Sequence, residues 1–238
     1  MKTQVPVLIM LITFAGITSC DEEEDPTPQM ELAFDFEGGS EGWEAGFTDY
    51  YPNSGTDYEL NAGMSQLPAP LDDTQPAFRI SGSNRSDDLF MFLKRKIEGL
   101  QPKTTYELVF DVSMASAYPE GSVGIGGSPG ASVYLKSGAT TEEPIPVLDS
   151  QIPDFLILNI DKGNQSNPGA DMQVIGNIGI DKEEFEYTLI SRSNSTNPFE
   201  ITTDEEGSMW VILGTDSGFE GKTTLYYNQI RLNLTAKG

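Results

Sequence analysis

Thr104-Thr105-Tyr106-Glu107-Leu108-Val109-Phe110-Asp111-Val112-Ser113-Met114-Ala115 is the stretch that decides the fold. Tyr106, Leu108, Phe110, Val112 and Met114 fall on one parity. Thr105, Glu107, Asp111 and Ser113 fall on the other, with Val109 the apolar exception. Successive strand residues face opposite sides, so this alternation predicts a strand with one dry face and one wet face. The same period appears where Leu32, Phe34 and Phe36 alternate with Ala33, Asp35 and Glu37, and where Ile230, Leu232 and Leu234 alternate with Arg231, Asn233 and Thr235. Phe155–Ile160 and Met209–Leu213 are apolar on both parities, the pattern of central strands covered on both faces. No stretch holds apolar residues at helical spacing for three turns. The 24 glycines and 15 prolines punctuate the chain at strand-length intervals. Roughly ten to twelve short strands, and an all-β, antiparallel β-sandwich, are predicted.

Composition narrows the function. The chain has 238 residues, with 14 Lys plus Arg against 37 Asp plus Glu, a net charge of −23. A body this acidic repels phosphate backbones, so no nucleic-acid partner is expected. It has no histidine, which excludes Ser-His-Asp and Cys-His nucleophile systems and His-ligated zinc. One cysteine allows no intrachain disulfide. The apolar fraction is too high for a disordered chain.

The one cysteine, Cys20, closes a distinctive N-terminus. Lys2 precedes an apolar run from Val5 to Ala15, short for a membrane span and the right length for a secretory h-region. Ile17-Thr18-Ser19-Cys20 then resembles the lipobox of bacterial lipoproteins, which implies that residues 1–19 are a lipoprotein signal peptide and Cys20 is acylated. Asp21-Glu22-Glu23-Glu24-Asp25 and Pro26-Thr27-Pro28 read as an extended, solvated spacer. Acidic residues in that position also resemble the surface-export signal of Bacteroidetes lipoproteins. The expected organisation is a tether over residues 20–30 and a single sandwich domain over 31–238. The expected location is the bacterial outer membrane, lipid-anchored and facing the exterior.

Three segments of the body carry a second resemblance. Phe34-Asp35-Phe36-Glu37 with Gly42-Trp43, the run Leu100-Gln101-Pro102 to Val112, and Tyr226-Tyr227-Asn228-Gln229-Ile230-Arg231-Leu232 resemble the opening, middle and closing strands of jelly-roll carbohydrate-binding modules. The resemblance implies a galactose-binding-like jelly roll and a glycan ligand. It also implies structural Ca²⁺ between the opening and closing strands, at the positions of Asp35, Glu37 and Asn228. The composition suits such an ion, because calcium takes oxygen ligands. Asn228 shares parity with Ile230, Leu232 and Leu234, so a regular strand would turn it inward, where an amide needs partners. Either a metal or a bulge at Tyr227-Asn228 answers that need. The loop Asp161–Asn167 has scattered oxygens without EF-hand spacing, a weaker second site.

Catalytic motifs are weak. In Gly121–Gly130, Pro129 stands where a dinucleotide loop needs its third glycine, so the segment reads as a loop between strands. Gly214-Thr215-Asp216-Ser217-Gly218 reads as a turn leaving the strand Met209–Leu213. The acidic pairs Glu142-Glu143, Glu183-Glu184 and Glu205-Glu206 are adjacent residues, which on a strand face opposite ways and cannot flank one glycosidic bond. A sugar ligand needs aromatic faces beside planar polar groups. The segment Trp43–Tyr58 is richest in them, with Trp43 itself expected in the core. Tyr50, Tyr51 and Tyr58, with Arg79 and Asp87, are the candidate ligand residues. The expected function is non-catalytic binding of an extracellular ligand, a glycan above all. The alternatives are an adhesive module contacting other surface proteins, and a polysaccharide lyase or glycosidase on the same scaffold.

Overall fold

Two antiparallel sheets packed face to face are what the alternating segments build. The computed structural model describes residues 29–237. Cys20, the signal segment and most of the tether lie outside the described residues. One sheet contains β1 (Gln29–Phe34), β3 (Asn61–Gln66), β4 (Pro76–Ser83), β6 (Thr105–Ser116), β11 (Thr188–Ser193), β12 (Phe199–Thr202) and β14 (Lys222–Ala236). The other contains β2 (Glu44–Thr48), β5 (Phe90–Ile97), β7 (Val133–Thr140), β10 (Met172–Asn177) and β13 (Met209–Ser217). β8 (Pro146–Leu148) and β9 (Leu156–Leu158) form a separate hairpin. No helix occurs among the described residues.

The spatial orders are β11-β6-β14-β4-β3 and β10-β7-β13-β5-β2. The connections β4 to β5, β5 to β6, β6 to β7, β12 to β13 and β13 to β14 each pass from one sheet to the other, the winding of a jelly roll. β14 pairs with β6 on one side. On its other side it pairs first with β4, up to Tyr227, and then with β1, from Ile230.

The predicted dry parity of β6 faces inward: Leu108, Phe110 and Met114 are fully buried with Ile80, Val211, Leu213, Leu225 and Ile230 between the sheets. Each such side chain contributes about 1.5–3 kcal/mol by leaving water. Trp43 joins this core and meets the Phe34 ring edge-on at 5.6 Å.

Two expectations are corrected. Phe155–Ile160 is not a central strand. Only Leu156–Leu158 is extended, in the β8–β9 hairpin, and its apolar residues serve as a cover: Leu158 and Ile160 pack with Phe90, Phe92, Met172 and Ile212 on the outer face of the five-stranded sheet. Gly214–Gly218 is not a turn, because β13 runs on through Ser217. Gly214 is there for space, since a β-carbon at that position would run into the Phe90 ring. β1 begins at Gln29, two residues inside the stretch assigned to the tether.

Candidate functional site

The outer face of the seven-stranded sheet carries a groove of about 330 Å³. Register explains it. Ser193 pairs with Asp111 and Asp111 with Arg231, while Ser191 pairs with Ser113 and Ser113 with Gln229. The wet parity of three strands thus forms two ranks of three polar side chains, with neighbouring strands about 4.8 Å apart. Serines and an aspartate make a low floor and the longer Gln229 and Arg231 make a wall. Asn233, in the next rank, donates to Asp111 Oδ2 at 3.3 Å. Arg231 is exposed and makes no hydrogen bond or ion pair among the described residues. One rank further, Tyr226 pairs with Ala115 and with Arg79. Tyr226 meets Tyr187 edge-on at 5.3 Å, and the Arg79 guanidinium stands 6.0 Å from the Tyr226 ring centre.

A smaller cavity of about 200 Å³ adjoins the groove and shares Gln229 with it. It opens where β14 exchanges β4 for β1, and its lining includes Asp35, Glu37 and Asn228. The ladder slips between Tyr227 and Gln229, so the anticipated bulge is present. The bulge does not satisfy Asn228, whose Oδ1 is buried without a partner. Asp35 Oδ1 accepts the Glu37 N–H at 3.1 Å across a sharp turn in which Phe36 has φ 64°. Two carboxylates and an unpartnered amide oxygen suit a hard cation. No group of three or more acidic, His or Cys residues is arranged around a metal position among the described residues.

The outer face of the five-stranded sheet is different. Beneath the segment that follows β9, Asp216 is fully buried, with Lys136 Nζ at 2.9 Å and Lys162 Nζ at 3.0 Å from Oδ2. Asp49 Oδ2 is 3.7 Å from Lys162. Burial raises the Asp49 carboxyl to about 6, against the pull of Lys162 and a hydrogen bond from Thr48. Burial likewise pushes the Lys136 ammonium below the ordinary lysine range, with Asp216 opposing. For Lys162 burial acts the same way, but Asp216 and Asp49 outweigh it and its ammonium is held up. Asp88, raised by burial and by Asp216, accepts from Asn164 at 2.9 Å.

The five sequence-predicted ligand residues do not converge. Tyr58 is buried, at 5% exposure, so its ring offers no sugar a face. Tyr50 is half-buried, edge-on to Tyr58 at 5.1 Å, and its carbonyl accepts the Leu156 N–H at 3.0 Å. Tyr51 is 37% exposed and lies against Phe155, ring centres 4.7 Å apart. These rings fasten the β8–β9 hairpin to the body. Asp87 is exposed beside the same cover, its carbonyl accepting from Gln165 at 3.3 Å. Arg79 alone stands on the groove face, bonded to Asn61 Oδ1 at 2.5 Å. The metal candidates Asp35, Glu37 and Asn228 do share one cavity. The groove residues Asp111, Ser113, Gln229 and Arg231 were not singled out from the sequence. Their wet parity is the signal that marks them.

No family model matches the chain, and no curated protein matches its sequence. Solved structures similar to it include the enzymatically active domain of tailspike protein 4 of bacteriophage CBA120, at 15% identity and a TM-score of 0.36 over 83% of this chain and 20% of that one. A carbohydrate-binding module of the β-sandwich superfamily is similar at 12% identity and a TM-score of 0.39, over 82% of this chain and 58% of that one. The adhesin domain of Lys-gingipain from Porphyromonas gingivalis W83 is similar at 11% identity and a TM-score of 0.39, over 88% of this chain and 99% of that domain. The chain thus spans a fifth of the phage chain and just over half of the module's chain.

Proposed function

We propose that this chain is a surface-anchored lipoprotein that binds an extracellular glycan without transforming it. The observation that carries the reading is the groove on the seven-stranded sheet. Sugars present hydroxyls edged by C–H patches, and recognition needs planar donors and acceptors held at fixed spacing beside an aromatic ring. Asp111, Gln229, Arg231 and Asn233 supply the planar groups from strands rather than loops. Tyr226 stands one rank away. Among the described residues Asp111 is the one carboxylate in the groove lining, whereas glycoside hydrolysis works with a pair, which favours binding over catalysis.

The test is a glycan array probed with the protein and with Asp111→Asn and Arg231→Met. Binding that both substitutions weaken at least tenfold supports the assignment. Binding that survives both places the ligand elsewhere, and no binding to any glycan overturns the reading.

Two parts of the proposal rest on other residues. Lipid on Cys20 would hold the body at the outer membrane, stable anchoring needing more than one acyl chain. Cys20→Ala should release the protein from the membrane fraction, and retention there would remove the anchor. Ca²⁺ is proposed in the cavity of Asp35, Glu37 and Asn228, with further oxygens from carbonyls and water. The unpartnered Asn228 Oδ1 supports that site.

The adhesive alternative has its own observation. Val123 and Ile125, in the glycine-rich loop, are 94% and 72% exposed, and Phe185 is 63% exposed. Apolar side chains held in water suit a protein partner.

A further inference from the structure

Lys136 on β7 and Asp216 on β13 project from the outer face of adjacent strands, and both side chains are wholly excluded from solvent. Three donors converge on one oxygen of Asp216. Lys136 Nζ, Lys162 Nζ and the Gln165 N–H reach Oδ2 at 2.9, 3.0 and 2.9 Å. Its twin, Oδ1, is buried and receives none. The carboxyl is therefore polarised unevenly, with Oδ2 carrying the charge and Oδ1 resembling a carbonyl oxygen.

The amine is equally specialised. Lys136 Nζ donates to the carbonyl oxygens of Lys162 and Asn167 at 2.8 and 3.1 Å. Those two bonds hold two of its hydrogens and direct the third toward Asp216. In a dry interior an ammonium and a carboxylate can exchange that proton and become amine and acid, since both charged forms lose their hydration there. The transfer leaves the nitrogen lone pair beside the Asp216 carboxyl, with both side chains excluded from solvent.

We propose that Lys136 and Asp216 join through a side-chain amide bond that the protein forms on itself, fastening β7 to β13. The Lys136 nitrogen attacks Cγ of the protonated Asp216 carboxyl, forming the N–C bond. The attacking nitrogen sheds one proton, which restores the ammonium of Lys162 once Lys162 has given its own to the departing oxygen. Lys162, 3.0 Å from Oδ2 with Asp49 behind it, passes a proton to the departing oxygen. The C–Oδ2 bond breaks and Oδ2 leaves as one water. Atoms and charge balance, and nothing is oxidised or reduced. Before the transfer Asp216 and Asp49 hold Lys162 as a cation, whereas burial favours the neutral amine at Lys136. That contrast makes Lys136 the nucleophile and Lys162 the proton donor.

Peptide mapping of the denatured full-length protein tests the bond. The expected result is a branched peptide joining the Lys136 segment to the Asp216 segment, one water lighter than its two parts, with no tryptic cleavage after Lys136. Asp216→Asn should give the same branched product with ammonia leaving in place of water, and Asp216→Ala should give separate linear peptides. Separate linear peptides from the wild-type protein would overturn the proposal, whatever the variants do. A branch from Lys162 would overturn the assignment of the nucleophile.

Discussion

The two outer faces of the sandwich are built from the same kind of strand and treated in opposite ways. Around the groove of the seven-stranded sheet the outward parity is polar, uncovered and loosely bonded, with Asp111 and Arg231 opposite each other in register yet forming no salt bridge. On the five-stranded sheet the outward parity is rings, aliphatics and charges, closed over by the β8–β9 hairpin and the loop after it. Charged groups therefore do different work in the two places. Under the cover, desolvation makes every unpaired charge costly, so the cluster holds structure together. In the groove, water screens the same groups and leaves them free for a ligand.

The largest effect expected from breaking this contrast is at Asp216. Asp216→Ala removes the partner of both Lys136 and Lys162, the proposed amide included, and leaving a buried cation without its partner costs about 3–5 kcal/mol. At roughly 2–4 °C per kcal/mol for a chain of this size, the midpoint of thermal unfolding should fall about 6–20 °C. A drop below about 1 °C would mean that the covered face is not held through Asp216.

Calcium probes the small cavity beside the open groove, where β14 exchanges β4 for β1. A ligand that binds only the native state at a hundredfold excess over its Kd adds about 2.7 kcal/mol. Metal-stripped protein should melt several degrees lower than protein with calcium, and Asn228→Ala should narrow that gap. Superimposable curves would leave the small cavity as a packing defect beside the bulge.

The covered face should also set a pH dependence. Asp49 is raised from 3.8 to about 6 in the folded chain, chiefly by burial. Between those values the native state binds more proton than the unfolded state, so this group's contribution is whole below pH 4 and is lost as pH climbs through about 6. The loss is on the order of 3 kcal/mol. Urea midpoints from pH 4 to 7 should show it as a decline present in the wild type and absent in Asp49→Asn. Parallel profiles for the two proteins would refute the assignment.

The same contrast explains what the sequence could tell. β6 was legible because only one of its faces is dry, so its parity printed the sandwich directly onto Tyr106–Met114. Asp216 was not. It lies among Gly214, Ser217 and Gly218, which have turn composition, although Gly214 is there to clear the Phe90 ring and the strand continues. Lys136 carried no mark either, since a lysine reads as wet wherever it occurs. Phe155–Ile160 had the composition of a central strand because a cover must be apolar too. The groove was half legible: Asp111, Ser113 and Arg231 stood on the wet parity of their strands. Their meeting depends on register between segments far apart in the chain, which no local pattern specifies. Tyr50 and Tyr51 read as a turn with two rings, yet Tyr50 lies against Tyr58 and Tyr51 against Phe155.

The smallest expected effect sharpens the comparison most. Arg231→Ala removes a guanidinium that holds nothing in the described structure, so stability should move by no more than about 0.5 kcal/mol, the range of an ordinary surface change. The residue lies on the outward face of its sheet as Lys136 does, and burial is what sets the two apart. Tyr51→Ala provides the matching variant on the covered side, where the ring contact with Phe155 gives it a modest stability cost. Binding of a glycan to the two variants then decides which face meets the ligand. Weakened binding in Arg231→Ala with an unchanged melting temperature assigns the ligand to the open groove. Weakened binding in Tyr51→Ala alone would move the ligand to the rim of the cover, and the loosely bonded charges of the seven-stranded sheet would then be no more than its solvated surface.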